Sequence, residues 1–437
     1  MYHVALSQAL IFKNAKIIIR LPNTDFLIYD LGTILRFKCI FAYHKRLFSN
    51  KNMTNYFSSN FKLGILGGGQ LGKMLLYNSR KFDIYTCILD PSNEAPSKIA
   101  CNEFHLGDLM DYDAVYNFGK QVDVLTIEIE NVNIDALETL EKEGIKVYPS
   151  SKSLRTIQNK ATQKLFYIDK NLPTAPFTRF AFTSEIKDAI NAQSISLPFV
   201  WKCAQFGYDG TGVKIVKTIT DLDNLPNVEC IAEQLIPFKN ELAVIVARNP
   251  AGETKTFPVV EMEFHPEANQ VEYVICPARI PNNIAKKATN IALKTSEAFN
   301  HVGLLAVEMF QTQNDDILIN EVAPRPHNSG HQTIEASYTS QFEQHIRAIL
   351  NLPLGQTDSK VGGVMVNLVG EENHTGDVIY KNIKTIMEMK GVTPHIYGKK
   401  QTRPFRKMGH VTIVNKNIDD ARKIAEEVKN TIKVISK

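Results

Sequence analysis

From residue 61 onward, short apolar runs alternate with amphipathic stretches in the order strand, helix, strand. The runs at 62–66, 84–89, 124–129 and 146–148 are rich in Ile, Leu and Val, and a helical period starts at Gln70 behind a glycine turn. That alternation predicts a parallel sheet with helices on its faces. Past Pro149 the pattern becomes a polar, basic helix over 152–170, which Pro173 and Pro176 close off. Residues 198–325 read as short strands joined by Gly, Asn and Pro turns, with a helix at about 282–300 between two groups of strands, an α+β pattern. Ile334, Tyr338, Phe342, Ile346 and Ile349 then fall at helical spacing, and Leu352-Pro-Leu-Gly355 ends that helix. Strands at 364–369 and 411–414 and a terminal helix from about Asp419 make a small last unit. The predicted division is 53–155, 156–352 and 353–437, and 437 residues leave room for about three domains.

Charge changes this picture at one end only. The net charge of +4 is too small to predict a polyanion-binding surface, so nucleic acid is not an expected partner. Residues 1–52 hold eight Lys or Arg against Asp25 and Asp30, whereas the remainder is close to neutral. The acids and bases of that extension interrupt each apolar window, which excludes a membrane-spanning helix. A Met at 53, a polar lead and then the first clean strand predict a translation start at Met53, with 1–52 as upstream sequence and an organellar targeting peptide as the rival. Six scattered cysteines without a C-x-x-C pair predict a reducing compartment and no disulfide framework.

Several clusters can carry chemistry. Gly67-Gly-Gly-Gln-Leu-Gly72 follows a strand, opens a helix and has Asp90 at the end of the next strand. The pattern fits a dinucleotide turn, and equally a helix N-terminus that holds some other phosphate or polar ligand. A period of two puts Thr126, Glu128 and Glu130 on one face at the carboxyl end of a parallel strand, where open α/β sheets bind ligands; a solvated edge is the alternative. The 303–311 and 317–323 runs predict a hairpin with a four-residue loop over 313–316. Its register pairs Thr312 with Ile317, Phe310 with Ile319 and Glu308 with Glu321. Two opposed carboxylates in an apolar hairpin call for a cation, and carboxylate with phosphate oxygens is the usual shell of Mg²⁺.

Lys202 ends an apolar strand ahead of a loop with three glycines, a combination suited to nucleotide phosphates, although no G-x-x-x-x-G-K-[ST] motif is present. After Glu321 come Arg325, His327, Asn328, Ser329 and His331; without the Glu of a zincin helix they predict a substrate loop, not zinc. Lys399, Lys400, Arg403, Arg406 and Lys407 crowd around Pro404 and Gly398, either as a solvated basic loop or as a clamp on a substrate phosphate.

Together these residues resemble the ATP-grasp superfamily, and within it the 5-(carboxyamino)imidazole ribonucleotide synthases of purine biosynthesis. The resemblance rests on Gly67-Gly-Gly-Gln-Leu-Gly-Lys-Met74, Glu128-Ile-Glu-Asn-Val132, Pro173-Thr-Ala-Pro176, Gly207-Tyr-Asp-Gly-Thr-Gly212, Glu233-Gln234, Asn320-Glu-Val-Ala-Pro-Arg325, His327-Asn-Ser-Gly-His331 and Lys407-Met-Gly-His410, in that order and spacing. It implies an ATP-grasp fold of mixed α/β and α+β class, with a Rossmann-like pre-ATP-grasp parallel-sheet domain before it and a small C-terminal domain after it. It also implies a cytoplasmic homodimeric ligase that uses ATP, Mg²⁺ (or Mn²⁺) and bicarbonate to carboxylate 5-aminoimidazole ribonucleotide through carboxyphosphate.

By that resemblance Lys160 and Lys202 contact the ATP phosphates, and Gly207, Tyr208, Asp209, Gly210, Thr211, Gly212 and Val213 cover them. Glu233, Gln234, Leu235 and Ile236 line the adenine pocket, Glu241 holds the ribose, and His265 and Asn320 complete the nucleotide site. Glu308 and Glu321 hold the metal, and Arg325 steadies carboxyphosphate. Gln70, Leu71, Glu128, Tyr208, Asp209, His327, Asn328 and Ser329 surround the imidazole and ribose of the substrate, while Lys399, Arg406 and Lys407 take its phosphate. The glycine turn thereby faces substrate, not a nicotinamide. Four positions depart from the family: Thr211 and Val213 stand where Lys or Arg and Gln are common, the His near 265 is displaced by one position, and Ala323 replaces a frequent Asn ligand. The competing functions are a formate-dependent glycinamide ribonucleotide transformylase and a catalytically silent ATP-binding regulator.

Overall fold

The computed structural model describes residues 56–205, 212–265 and 270–437, with the backbone of two short strands, Ile17–Ile19 and Leu27–Tyr29. The chain divides into two compact units, Met1–Tyr56 and Phe57–Lys437. In the first, the two short strands pair antiparallel, Ile17 opposite Tyr29. Met53, with the start expected there, lies outside the described residues. Among the described residues no helix is long and apolar enough to cross a membrane. Cys87, Cys101, Cys203, Cys230 and Cys276 are free thiols.

The second unit opens with a five-stranded parallel sheet in the order Glu103–Leu106, Tyr85–Asp90, Lys62–Leu66, Val124–Ile127, Lys146–Tyr148. Both faces of its central strands are covered, so these are nearly continuous apolar runs, as the sequence predicts; the polar, partly exposed edge strand Glu103–Leu106 is not among those expected. The Val124–Ile127 strand is shorter than expected. It ends at Ile127, so Thr126, Glu128 and Glu130 do not share a strand face. The predicted 152–170 helix is two, Ser151–Ile157 and Lys160–Asp169, because Asn159 stops the first and caps the second by accepting from Thr162 N–H at 2.9 Å.

A four-stranded antiparallel sheet follows, in the order Val213–Val216, Phe199–Cys203, Cys230–Gln234, Phe177–Phe180. Phe199, Trp201, Cys230 and Ala232 point to one face and form an apolar core with Ile186. By the period of two, Lys202 and Glu233 point to the other face, toward the Lys160–Asp169 helix whose Ala161 packs on Ile231.

The largest sheet has nine strands and runs from Ile317–Ala323 through Gly303–Thr312, Phe238–Arg248, Val260–Phe264, Val271–Cys276, Gly362–Val369 and Lys407–Asn415 to Val392–Ile396, with Thr254–Thr256 beside the third. Leu242, Val244 and Val246 pack on the Asn282–Ala298 helix, and the alternate Ile245 and Ala247 pack toward Ala348 of the Gln341–Ile349 helix. Residues on either side of 352 thus belong to one hydrogen-bonded sheet. The single helix expected over 334–349 is also two, Thr333–Ala336 and Gln341–Ile349, with Tyr338 exposed between them and Ser340 capping the second.

Candidate active site

The glycine turn has its amides already occupied. Glu128, just past the end of the Val124–Ile127 strand, accepts from Gly69 N–H at 2.8 Å and Gly72 N–H at 2.9 Å, and Asp90 accepts from Gly68 N–H at 2.6 Å. A carboxylate from a neighbouring strand thus caps the Gln70–Lys81 helix, whose own Gly69 offers no side chain. Gly69 and Gly67 fit because any Cβ there would meet Glu128 at 2.6 Å, and Gly67 also has φ of +97°. The alternative left open by the motif, a dinucleotide phosphate on these amides, is filled by protein. Gln70 begins the helix and Leu71 is buried beneath it. Burial pushes the Glu128 carboxyl above its ordinary range against the pull of the two amides. Thr126 does not line a crevice; its hydroxyl lies 2.9 Å from His345 Nε2, buried against the Gln341–Ile349 helix.

The carboxylate hairpin forms by a different register from the predicted one. Near the turn Gln311 pairs with Ile317, Phe310 with Leu318 and Met309 with Ile319, one residue out from the expected pairing. A bulge at Asn320 then restores the offset, and Glu308 stands opposite Glu321. The core gives the reason: Ile317, Ile319 and Val322 all pack in one apolar cluster, a change of parity that only an inserted residue permits. Without the bulge, Glu321 would point into that cluster. With it, Glu321 faces Glu308, and Asn320 is freed to accept from Lys202 Nζ at 2.8 Å.

Around these acids the elements deliver lysines. Lys160, first in its helix and anchored through its N–H to Ala204 O at 2.8 Å, is ion-paired with Glu321. Lys202 lies inside its strand, not at its end, opposite Val213, and its Nζ also reaches Glu233 Oε1 at 3.0 Å. Glu233 receives a second lysine, Lys164, at 2.6 Å. Glu241, on the adjacent strand, is pushed up to about 7 by burial and by Glu321. Burial, with Glu321 and Glu241 nearby, raises Glu308, whereas Lys160 holds Glu321 low. Two carboxylates of opposite tendency beside lysines form a set that a cation would reorganise.

His327 brings the Arg325–His331 loop to this point, with Nε2 3.2 Å from Glu308 Oε1 and Nδ1 2.9 Å from Ser329 Oγ. Gln341 holds that loop by accepting from His327 N–H at 2.8 Å and donating to its carbonyl at 2.7 Å. Asn328 exchanges hydrogen bonds of 2.9 and 3.0 Å with Asn367, tying the loop to the C-terminal strands. Arg325 Nε lies 2.8 Å from Glu130 Oε2. Lys399 donates to Lys407 O at 2.8 Å, Arg406 donates to Gln401 O at 2.6 Å, and Lys407 is near enough to Glu308 to lower it.

Gln234, Leu235 and Ile236 leave the Cys230–Gln234 strand edge, where Gln234 N–H donates to Pro176 O at 2.8 Å. Gly212, with φ of +77°, precedes Val213. His265 sits at a strand end with its ring 5.9 Å from Phe405. Gly207, Tyr208, Asp209, Gly210 and Thr211 lie outside the described residues. His331 and His410 are not exposed to a ligand. Their rings lie 4.6 Å apart and tilted, with His395 stacked on His410 at 4.4 Å, and burial drives both His331 and His410 well below the ordinary histidine range. Sequence reasoning missed Lys164, Gln341 and Asn367, and it gave Glu130 no partner. The spacing of Lys160 and Lys164, one helical turn apart, was the available signal.

Three family models match the chain: a ribonucleotide synthetase preATP-grasp domain over 61–158, an ATP-grasp domain over 165–342 and a phosphoribosylaminoimidazole carboxylase C-terminal domain over 363–424. The N5-carboxyaminoimidazole ribonucleotide synthase of Bacillus subtilis is 37% identical over 366 residues, 82% of this chain and 92% of that protein. The phosphoribosylaminoimidazole carboxylase of Candida albicans is also 37% identical, but the chain spans only 65% of its length. Among solved structures, the N5-carboxyaminoimidazole ribonucleotide synthetase of Thermotoga maritima is similar with a TM-score of 0.79 at 40% identity, covering 86% of this chain and all of that one. The Aspergillus clavatus synthase in complex with ADP and 5-aminoimidazole ribonucleotide gives 0.78 at 32% identity, over 85% and 98%. With its glycine turn, lysine pairs and facing glutamates in the order the motifs require, the chain belongs to the N5-carboxyaminoimidazole ribonucleotide synthase family of ATP-grasp enzymes.

Proposed function

We propose that the chain catalyses ATP-dependent carboxylation of 5-aminoimidazole ribonucleotide by bicarbonate. The observation that carries the reading is the register pair Glu308–Glu321 set among Lys160, Lys202 and His327. A bicarbonate oxygen attacks the γ-phosphorus of ATP, releasing ADP and forming carboxyphosphate. The exocyclic amine of the ribonucleotide then attacks the carboxyl carbon, phosphate leaves, and a proton is lost from nitrogen. Phosphoryl transfer of this kind asks the protein for positioning and charge neutralisation.

Lys160 and Lys202 supply positive charge to the phosphates, and Glu233 to Ile236 with Glu241 hold the nucleoside. Glu308 and Glu321 fit Mg²⁺: they are two facing oxygen ligands, too few for a complete shell, so nucleotide phosphates and water finish it. An ion held there would supply positive charge to offset the negative charge of the nucleotide phosphates. Arg325, oriented by Glu130, steadies the carboxyphosphate. Lys399, Arg406 and Lys407 take the ribonucleotide phosphate, and His327 to Ser329 close over its ring, excluding the water that would hydrolyse carboxyphosphate. The division near 155 and 352, a homodimeric assembly and a cytoplasmic site of action belong to the same proposal.

The test is ADP release by the full chain with Mg²⁺-ATP and bicarbonate, with and without 5-aminoimidazole ribonucleotide, repeated with formate and glycinamide ribonucleotide. Stimulation by the aminoimidazole substrate alone supports the reading. Stimulation by the formate pair alone moves the chain to the transformylase, and folded protein that releases no ADP makes it a silent binder.

A further inference from the structure

We infer that Lys164 is a positioning residue of the nucleotide site: by sharing the Glu233 carboxylate, it leaves Lys202 its positive charge for the ATP phosphates. The inference rests on the assignment of Lys202 to ATP given above.

The geometry is that of a buried triad. Glu233 and Lys164 have side chains 2% exposed, and Lys202 9%. Lys164 Nζ meets Glu233 Oε2 at 2.6 Å while Lys202 Nζ meets Oε1 at 3.0 Å, so each oxygen serves one ammonium. Lys202 and Glu233 are diagonal neighbours on the inner face of the small sheet, since Lys202 stands opposite Ile231. One lysine would suffice to neutralise this carboxylate. The second makes the triad net positive, and of the two ammoniums only Lys202 continues outward, to Asn320 beside the facing glutamates.

Lys164 has no outward path. Its remaining bonds go to Thr174 Oγ1 at 2.6 Å and to Ile319 O at 3.5 Å, and Thr174 in turn donates to Ile319 O at 2.8 Å on the edge strand of the large sheet. The residue therefore joins the helix that carries Lys160, the small sheet and the large sheet at one carboxylate. Burial lowers the Lys164 pKa to about 8 against the pull of Glu233, because desolvation disfavours the charged ammonium. A buried lysine contributes little by packing alone, because desolvating its charge costs several kcal/mol before any partner is counted. Its presence is explained by the carboxylate it serves.

Removing Lys164 makes Glu233 depend on Lys202 alone. Lys202 is then drawn into a neutral pair, and the phosphates lose an attracting charge. Removing Glu233 as well releases Lys202 again, so the two substitutions compensate.

The test is Mg²⁺-ATP affinity by calorimetry on the full chain, with steady-state kinetics alongside. Wild-type protein that binds no ATP overturns the nucleotide assignment itself. If wild type binds, Lys164→Met should raise Kd and the KM for ATP at least about tenfold while KM for 5-aminoimidazole ribonucleotide stays within about twofold. The double variant Lys164→Met, Glu233→Gln should recover to within about threefold of Glu233→Gln alone. Unchanged ATP affinity in Lys164→Met overturns the inference, and so does a double variant as weak as Lys164→Met. Should Lys164→Met fail to fold, the double variant and Glu233→Gln still decide: a further loss of about tenfold between them overturns the charge-sharing role.

Discussion

His345 gives a prediction whose size follows from its surroundings. The side chain is fully buried on the Gln341–Ile349 helix, with Nε2 2.9 Å from Thr126 Oγ1 of the parallel sheet and Leu304 N–H donating to Nδ1 at 3.3 Å. Because Nδ1 accepts, the ring is neutral with its proton on Nε2, and charging it would break the Leu304 bond. Burial, helped by nearby His301, pushes its pKa down to about 3, and burial with Arg248 pushes His301 to about 4. In the unfolded chain both titrate near 6.5. Each folded value is depressed, so the stabilisation is fully present above pH 6.5 and is lost as pH falls toward 4 and 3. At pH 5 the unfolded chain has taken up both protons and the folded chain neither, which costs about 2 kcal/mol per histidine. His345→Gln keeps a donor for Thr126 and an acceptor for Leu304 but has no proton to gain. Urea unfolding of both proteins at pH 7.5 and 5.0 should therefore show the variant losing about 2 kcal/mol less across that interval than wild type. Equal losses in the two proteins would refute a neutral, buried His345.

Three further outcomes follow from the site. On the proposal that Glu308 and Glu321 hold Mg²⁺, Glu308→Gln should reduce substrate-stimulated ADP release by at least about a hundredfold, because the ion would lose one of its two protein carboxylate ligands. It should not lower the melting temperature, since a carboxyl raised by burial and by Glu321 is replaced by a neutral group. Glu128→Ala orphans the half-buried Gly69 and buried Gly72 amides and should cost about 1–3 kcal/mol in chemical denaturation; an unchanged midpoint would mean the cap is not structural. Gly330→Ala places a Cβ 2.4 Å from Ile245 Cδ1 and 2.5 Å from Gln341 Oε1, the group that holds His327. It should raise KM for 5-aminoimidazole ribonucleotide more than KM for ATP, and an equal rise in both would count against a loop-specific effect.

Where the sequence was easy to read, local pattern and tertiary structure agreed. The central parallel strands and the Gln70–Lys81 helix were legible because strands buried on both faces have no choice but to be apolar throughout, whereas the polar edge strand Glu103–Leu106 gave no such signal. The breaks in longer helices were less legible. Periodicity carried smoothly across Gln158-Asn159 and across Tyr338, but at each place an Asn or Ser with a backbone-capping side chain competed with the helix and prevailed.

The facing glutamates show why a correct pair can emerge from an incorrect register. The expected four-residue loop is one residue too short, and the unforeseen bulge at Asn320 displaces the second strand by one residue in the compensating sense. A period-two reading has no term for a bulge, yet the bulge follows from the chemistry at stake: an uninterrupted strand would drive Glu321 into the cluster of Ile317, Ile319 and Leu305. The same blindness hid Lys164. On a helix read as polar and basic, a lysine is expected in solvent, and only the approach of the small sheet, bringing Glu233 from 69 positions away, gives it a buried partner. Chemistry carried by one segment could be read from the chain. Chemistry that depends on two sheets closing on one helix needed the fold.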